Sequence, residues 1–487
     1  MLSFSMALSG QHLSKVAMDD FFGVNITGGK TQPEDIVDIA QWVRHYTRWS
    51  YFESVNNQFD FKQAKYPDGI YDNDAYYQNL KKHHIKSLFV LMKSTDWASS
   101  DPAAKFPQEY APSGEENGLD PMHYREIAEF YYQLIARYGT KTKPAEQLLT
   151  DDKLSGMALI DVIEVENEPD GPWHNQMTLQ QYAALLNAVY DGNQGQLGPG
   201  YGIKAADPDM VVSVGGVAYN LEALKKIVQY AGRVPFDVVN VHFYCFKFVR
   251  EKYRVAIPPE WSSLEEDMAE IVSWRNTEAP GRPVWLTEIG WDTKDYQPEQ
   301  VTEQEAADYL IRSYLLALGV GVEKVFWFIL KDFDDFDHPT TFSSSGLYEN
   351  STTEWGDKNR LKPKMTYWYN ATFKNLTAGY FFHQKVDAPN GDSTVYQYEF
   401  FNADQSKKLV ILWTCPSFAY KWHPDPPSTT KDDFLFSPGK NWQVSKITKP
   451  VDGSTTGKTV SFENQNENIL LRLSGTPVFL ELNSKNK

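Results

Sequence analysis

Two cysteines in 487 residues are too few to staple a chain of this size. Cys245 and Cys415 fall in segments of different pattern, so both read as free buried thiols, and cysteine usage does not fix the compartment. No stretch approaches the roughly 20 consecutive apolar residues that a membrane-crossing helix needs. Met1 to Leu13 is mildly apolar but lacks a basic start and a cleavage site. It is compatible with the remnant of an export signal, and a secreted, periplasmic or cell-surface protein is the expectation. Positive charge is also short: 47 Lys and Arg stand against 64 Asp and Glu, a net charge of −17. That balance repels nucleic acid and anionic membrane surfaces and offers no phosphate-neutralising patch. The chain has no glycine-rich phosphate fingerprint after its first strand pattern, which disfavours an open dinucleotide-binding sheet. It has neither internal repeats nor a low-complexity tract.

What the sequence does have is aromatic rings, 14% of all residues, and 41% hydrophobic residues, enough for a packed core throughout. Most of the rings fill that core, but flat faces also suit the C–H surface of sugars. Short β-branched and aromatic runs alternate with long amphipathic stretches. The predicted strands are 21–26, 42–47, 87–92, 161–167, 210–216, 236–244, 283–290 and 324–330. Helix patterns such as Thr178 to Tyr190 and Thr302 to Leu318 lie between them. Eight such repeats match a (β/α)₈ TIM barrel over 19–378, after an N-terminal segment 1–18. Insertions such as Ala98 to Pro121 and Asp191 to Asp207 exceed a minimal barrel and are expected to wall its cleft. From Gly379 the rhythm changes to short alternating runs at 393–401, 408–414, 458–463, 468–473 and 477–482. They predict a small antiparallel β-sandwich over 379–487, with Ser417 to Lys440 as a long loop.

The fourth strand ends in Glu166-Asn167-Glu168-Pro169, and the seventh runs Trp285-Leu286-Thr287-Glu288-Ile289-Gly290-Trp291. Proline cannot donate to a ladder, so Pro169 helps end strand four beside Glu168. Two carboxyl groups on well-separated strands of a barrel converge at its C-terminal rim, where hydrolysis of a glycosidic bond needs them. Period-two alternation would put Glu164, Glu166 and Glu168 on one face. Glu164 lies deep enough to need a cation such as Arg44.

With Asn-Glu-Pro on strand four and a Glu-ended strand seven, the barrel resembles clan A of the glycoside hydrolases. The Asn167-Glu168-Pro169-Asp170-Gly171 turn and Phe326-Trp327-Phe328 with its Lys331-Asp332 loop resemble the xylosidase-type members of family 39. That resemblance implies a retaining hydrolase of β-linked, or equivalent equatorial, bonds in plant-type oligo- or polysaccharides, with no cofactor. Glu168 would be the general acid/base, with a raised pKa, and Glu288 the ionised nucleophile. Asn167 would hold the sugar 2-OH. His242 and Tyr244 form the His-x-Tyr pattern beside the nucleophile, and Tyr244 would fix the Glu288 rotamer. Arg44 on strand two is the arginine expected near the nucleophile, with Arg48 a rim residue. Trp327 would floor the first sugar, Asp332 would reach a hydroxyl, and Trp173 and Trp291 would be stacking platforms; the alternative for each tryptophan is a loop anchor. Glu166 competes for the acid role, although the motif favours Glu168. Asp332, Asp334, Asp335, Asp337 and His338 lack the glycine and terminal Glu of an EF-hand, so no metal site is expected. His83-His84 reads as a helix end. Lys247 as a Schiff-base lysine is disfavoured by the two rim glutamates. A carbohydrate-binding protein with a spent site is the alternative from another class; it predicts loss of one glutamate, and both are present.

Overall fold

The computed structural model describes residues 16–485, apart from 29–30, 68, 99–117, 172–176, 219–220, 250–252, 295–299, 334–340, 350–361, 416–429 and 466. Eight parallel strands form the central sheet: β1 (Phe22–Thr27), β2 (Trp42–Arg48), β3 (Lys86–Met92), β4 (Val162–Val165), β5 (Val211–Val214), β6 (Val239–His242), β7 (Val284–Ile289) and β8 (Lys324–Trp327). Their order is β5-β4-β3-β2-β1-β8-β7-β6. Bridges Ser213–Val238 and Val217–Val241 join the two ends and close the barrel. Parallel strands covered on both faces read as nearly unbroken apolar runs, and every residue of β7 and all but Lys86 of β3 are buried. Each predicted barrel strand is present, although β4 stops at Val165 and β8 at Trp327.

The covering helices include α1 (Arg125–Tyr138), α2 (Leu179–Asp191), α3 (Glu303–Val320) and α4 (Met365–Thr377). Two of them start as capping boxes, Thr178 with Gln181 and Thr302 with Glu305. Both end on a left-handed glycine, Gly192 at φ 66° and Gly321 at φ 104°, a conformation that costs glycine little. His83 caps the helix Asn73–Lys82, as its position suggested. The 191–207 insertion bonds to α1 through Gly202 N–H to Ala128 O (2.8 Å), and just past the end of that helix through Thr140 N–H to Asp207. Nearly all of the 98–121 insertion lies outside the described residues.

A six-stranded antiparallel sheet follows, containing β9 (Tyr380–Val386), β10 (Val395–Asn402), β11 (Lys407–Thr414), β13 (Trp442–Lys449) and β15 (Val478–Ser484). It packs on a second sheet that holds β12 (Lys431–Phe436) and β14 (Asn468–Leu473), around Val410, Leu412, Phe434, Phe436, Leu471 and Leu480. Two expectations need correction. The segment expected as a loop contains β12, and the 458–463 run pairs only at Lys458–Thr459. Strand β12 has just two core residues, Phe434 and Phe436, which is too short an alternation to read. The other face of the large sheet covers the barrel: Phe479 meets Phe373 of α4, and Trp413 Nε1–H donates to Glu260 (2.7 Å). Neither cysteine forms a disulfide, and both are buried.

His45, wholly enclosed behind β2, gives the barrel a pH limit. Its Nε2 faces Gly28 O (3.1 Å) and its Nδ1 faces the Tyr77 hydroxyl (2.7 Å), a neutral ring bonded at both nitrogens. Burial pulls its pKa from 6.5 down to about 4. Between those values the unfolded chain binds a proton that the folded one refuses, so stability falls as pH drops from about 6.5 to 4. The loss should reach about 3 kcal/mol. Urea unfolding at pH 7 and pH 4.5, on the wild type and His45→Gln, measures it. A pH dependence identical in the two proteins would refute the assignment.

Candidate active site

The catalytic-face residues hang on one buried cation. Arg44 of β2 makes a two-pronged pair with Glu164, Nε to Oε2 at 2.8 Å and Nη2 to Oε1 at 2.6 Å. Its Nη1 donates to Glu288 Oε1 (2.8 Å) and Asn25 Oδ1 (3.0 Å), and its Nη2 to Asn167 Oδ1 (2.7 Å). Burial works against its charge, but the facing Glu164, with Tyr46 and Glu288, holds its pKa well above the ordinary value. Arg44 is fully enclosed, so it acts on the carboxylates and not on a ligand directly. Asn167 has its oxygen committed to Arg44, which turns its amide NH2 away from the pair.

Glu288 stands at the end of β7 and accepts on both oxygens. Tyr244 donates to Oε2 (2.6 Å), while Arg44 and the Tyr46 hydroxyl donate to Oε1. Burial foremost, then the charge of Glu288, lifts the Tyr244 pKa far above the usual phenol range, so the hydroxyl keeps the proton it donates. Burial acts likewise on Tyr46, Arg44 opposing and Glu288 reinforcing. Glu168, just past β4, faces His242 Nδ1 at 2.9 Å, and the same nitrogen lies 3.4 Å from Glu288. His242 Nε2 rests on Thr287 Oγ1 (3.1 Å), which in turn bonds Asn240 (2.5 Å). One oxygen of each carboxyl and a ring nitrogen of His242 lie within 4.8 Å of one another. Among the described residues this trio has donor types that suit a metal. Arg44 already places a fixed cation on the Glu288 oxygen nearest the histidine, so a second cation there would be repelled.

Glycine fits where this ring comes closest to backbone. A Cβ on Gly216 would lie 2.0 Å from His242 Nε2. Gly216 also accepts from Glu168 N–H (3.0 Å) and donates to Glu164 (3.0 Å). Gly216→Ala should therefore displace the histidine that links the two carboxyls, lowering turnover about 100-fold. Stability should fall by about 1–3 kcal/mol from overpacking. Thermal melts and kcat on one substrate test both effects, and wild-type kcat in this variant would contradict the placement.

Glu168, Glu288, Asn167, Arg44, His242 and Tyr244 converge as the motifs suggested, and Glu164 pairs with Arg44. Other expectations do not hold. Trp327 is 0% exposed, with Nε1–H donating to Ser345 O and its ring stacked on Trp291, so it cannot floor a sugar. The residue just past β8 faces the other way: half-buried Phe328 sits edge-on to Tyr46 and Tyr244, both 6.4 Å between centroids. Trp291 is equally buried and donates to Ile257 O, a loop anchor. Asp332 turns inward to Lys364 (3.1 Å), Lys294 (3.0 Å) and Gly346 N–H (2.9 Å), so it pins its loop. Trp173, Asp334, Asp335, Asp337 and His338 lie outside the described residues. Sequence reasoning overlooked Tyr46, Asn25, Thr287 and Phe328 as site residues. Tyr46 carried a readable signal, two positions from Arg44 on the same strand face.

Barrel, sandwich and rim together define the class of fold, that of solved glycoside hydrolases. No family sequence model and no curated protein sequence matches the chain. Solved structures do. A family 39 glycoside hydrolase from Bacteroides cellulosilyticus is 17% identical with a TM-score of 0.60, covering 97% of this chain and 82% of the other. A GH30 endoxylanase from Clostridium papyrosolvens matches at 12% identity and TM-score 0.55, over 97% and 98%. An α-L-arabinofuranosidase from Thermotoga maritima matches at 10% and 0.56, also over 97% and 98%.

Proposed function

We propose that this protein is a retaining glycoside hydrolase, xylosidase-like, acting on β-linked or equivalent equatorial bonds of plant-type oligo- or polysaccharides met outside the cytoplasm. The observation that carries the reading is the Glu168–Glu288 pair, with oxygens within 4.8 Å across His242. Inverting enzymes hold their carboxyls about 6.5–9.5 Å apart to admit a water, and retaining ones about 5–5.5 Å apart. A family 39 hydrolase, an endoxylanase and an arabinofuranosidase among the structural neighbours support the substrate class.

On this reading, double displacement runs in two balanced steps. Glu288 Oε attacks the anomeric carbon as the bond to the leaving oxygen breaks, and Glu168 gives its proton to that oxygen. Water then attacks the same carbon, Glu168 takes its proton, and the glycosyl–Glu288 ester bond breaks. Arg44, Tyr46 and Tyr244 hold the Glu288 carboxylate for attack. NMR of the first-formed sugar from an aryl glycoside panel, pyranosides and furanosides included, tests the reading. It should show the anomer of the substrate. First release of the opposite anomer, or no hydrolysis across the panel, would overturn it.

A further inference from the structure

One buried carboxylate next to this site has no part in the two steps. Glu166 is 0% exposed, at the point where β4 has ended. Its φ is +66° and that of Glu168 is +47°, left-handed values that non-glycine residues adopt at a cost of about 1–3 kcal/mol each. Lys93, at the end of β3, has φ +64°. The left-handed residue ends the period-two alternation, so Glu166 does not share the Glu164 and Glu168 face as expected. Its Oε2 instead accepts from Lys93 N–H (3.1 Å) and its Oε1 from Asn167 N–H (3.2 Å). The three successive backbone N–H groups of 166–168 are thus tied in three directions. Glu166 bonds to Leu91 O on β3 (2.9 Å), Asn167 to the Glu166 carboxylate, and Glu168 to Gly216 O past β5 (3.0 Å).

We propose that Glu166 is a positioning residue for the acid/base: its carboxylate clamps the ends of β3 and β4 and so aims Asn167 at Arg44 and Glu168 at His242. The inference rests on the glycosidase reading. A carboxylate is required because both partners are donors; glutamine can accept one N–H but would turn its own NH2 toward the other. Without the clamp the buried Asn167 N–H and the part-buried Lys93 N–H lose this partner, and the strained turn is held less firmly.

Glu166→Gln tests this on the full-length chain, with the wild type beside it. Glycosides with sugar leaving groups need acid assistance, and their kcat/KM should fall about 10- to 100-fold, the scale for a misplaced group. A dinitrophenyl glycoside should change less than about threefold in its first step. The alkaline limb of the kcat/KM pH profile, which reports Glu168, should move, and azide should not restore activity. If this variant does not fold, Glu166→Asp gives the same reading, because the shorter carboxylate cannot bridge both N–H groups. Equal losses on both substrate types with an unmoved pH profile would mean a merely structural role. Azide rescue would make Glu166 the acid/base itself, and an unchanged enzyme would also overturn the proposal. A wild type inactive on every glycoside would instead refute the glycosidase reading.

Discussion

Glu288→Gln is expected to lower turnover by roughly 10⁴-fold or more while leaving the fold intact. The amide has nearly the shape of the carboxylate but no charge with which to form an ester at the anomeric carbon. The fold survives because Arg44, the cation that would otherwise be stranded, keeps Glu164, Asn167 and Asn25 as partners. Circular dichroism should therefore match the wild type. The complementary experiment uses a 2-fluoro glycoside with a good leaving group, which slows release of the intermediate. Wild-type protein should gain one glycosyl group, and peptide mapping should find it on Glu288. A label on Glu164, Glu166 or Glu168 would move the nucleophile to another strand and dismantle the assignment.

Glu168→Ala should separate the two steps. Removing the proton donor is expected to cost about 10²- to 10⁴-fold on substrates whose leaving group is a sugar alkoxide. A dinitrophenyl glycoside or glycosyl fluoride needs no such help, so Glu288 should still be glycosylated. Water then lacks its base and the ester on Glu288 should accumulate. Azide is a nucleophile that needs no base, so it should restore turnover and give a glycosyl azide of the same anomeric configuration as the substrate. An inverted azide product would refute double displacement at Glu288. Rescue confined to Glu166→Ala, with Glu168→Ala active on natural substrates, would exchange the two roles. The geometry argues against that exchange, because Glu166 is held by two backbone N–H groups while Glu168 faces His242.

Much of this was legible before folding. The barrel strands are covered on both faces, so runs such as Ser87 to Met92 and Val284 to Ile289 stand out from the helices around them. Glu168 and Glu288 close two such runs, and their place in the order of strands sufficed to pair them. Helix starts were equally local, since Thr178 and Thr302 announce themselves through a Gln or Glu three residues on. The sandwich was read less well. Strand β12 hides in a segment rich in Pro, Ser and Asp, with only two inward side chains to betray it.

What the sequence determined by itself was the repeat of strands and helices and the two glutamates, one just past β4 and one near the end of β7, because burial and strand termination act on neighbours along the chain. Only the tertiary structure decided which side chains meet. Arg44 was expected beside Glu164 and Glu288, but the Tyr46 hydroxyl meets Glu288 across 242 residues and Lys93 N–H meets Glu166 across 73, and no local pattern records such a partner. It also decided the faces. One left-handed residue at Glu166 breaks the alternation within the strand-four motif, and where β8 stops, Trp327 stays in the helix layer while Phe328 turns toward the tyrosines. Side-chain direction at a strand end is set by where the ladder stops and which backbone N–H groups then need partners. Those partners come from neighbouring strands, so the outcome belongs to the closed barrel and not to any one segment of the chain.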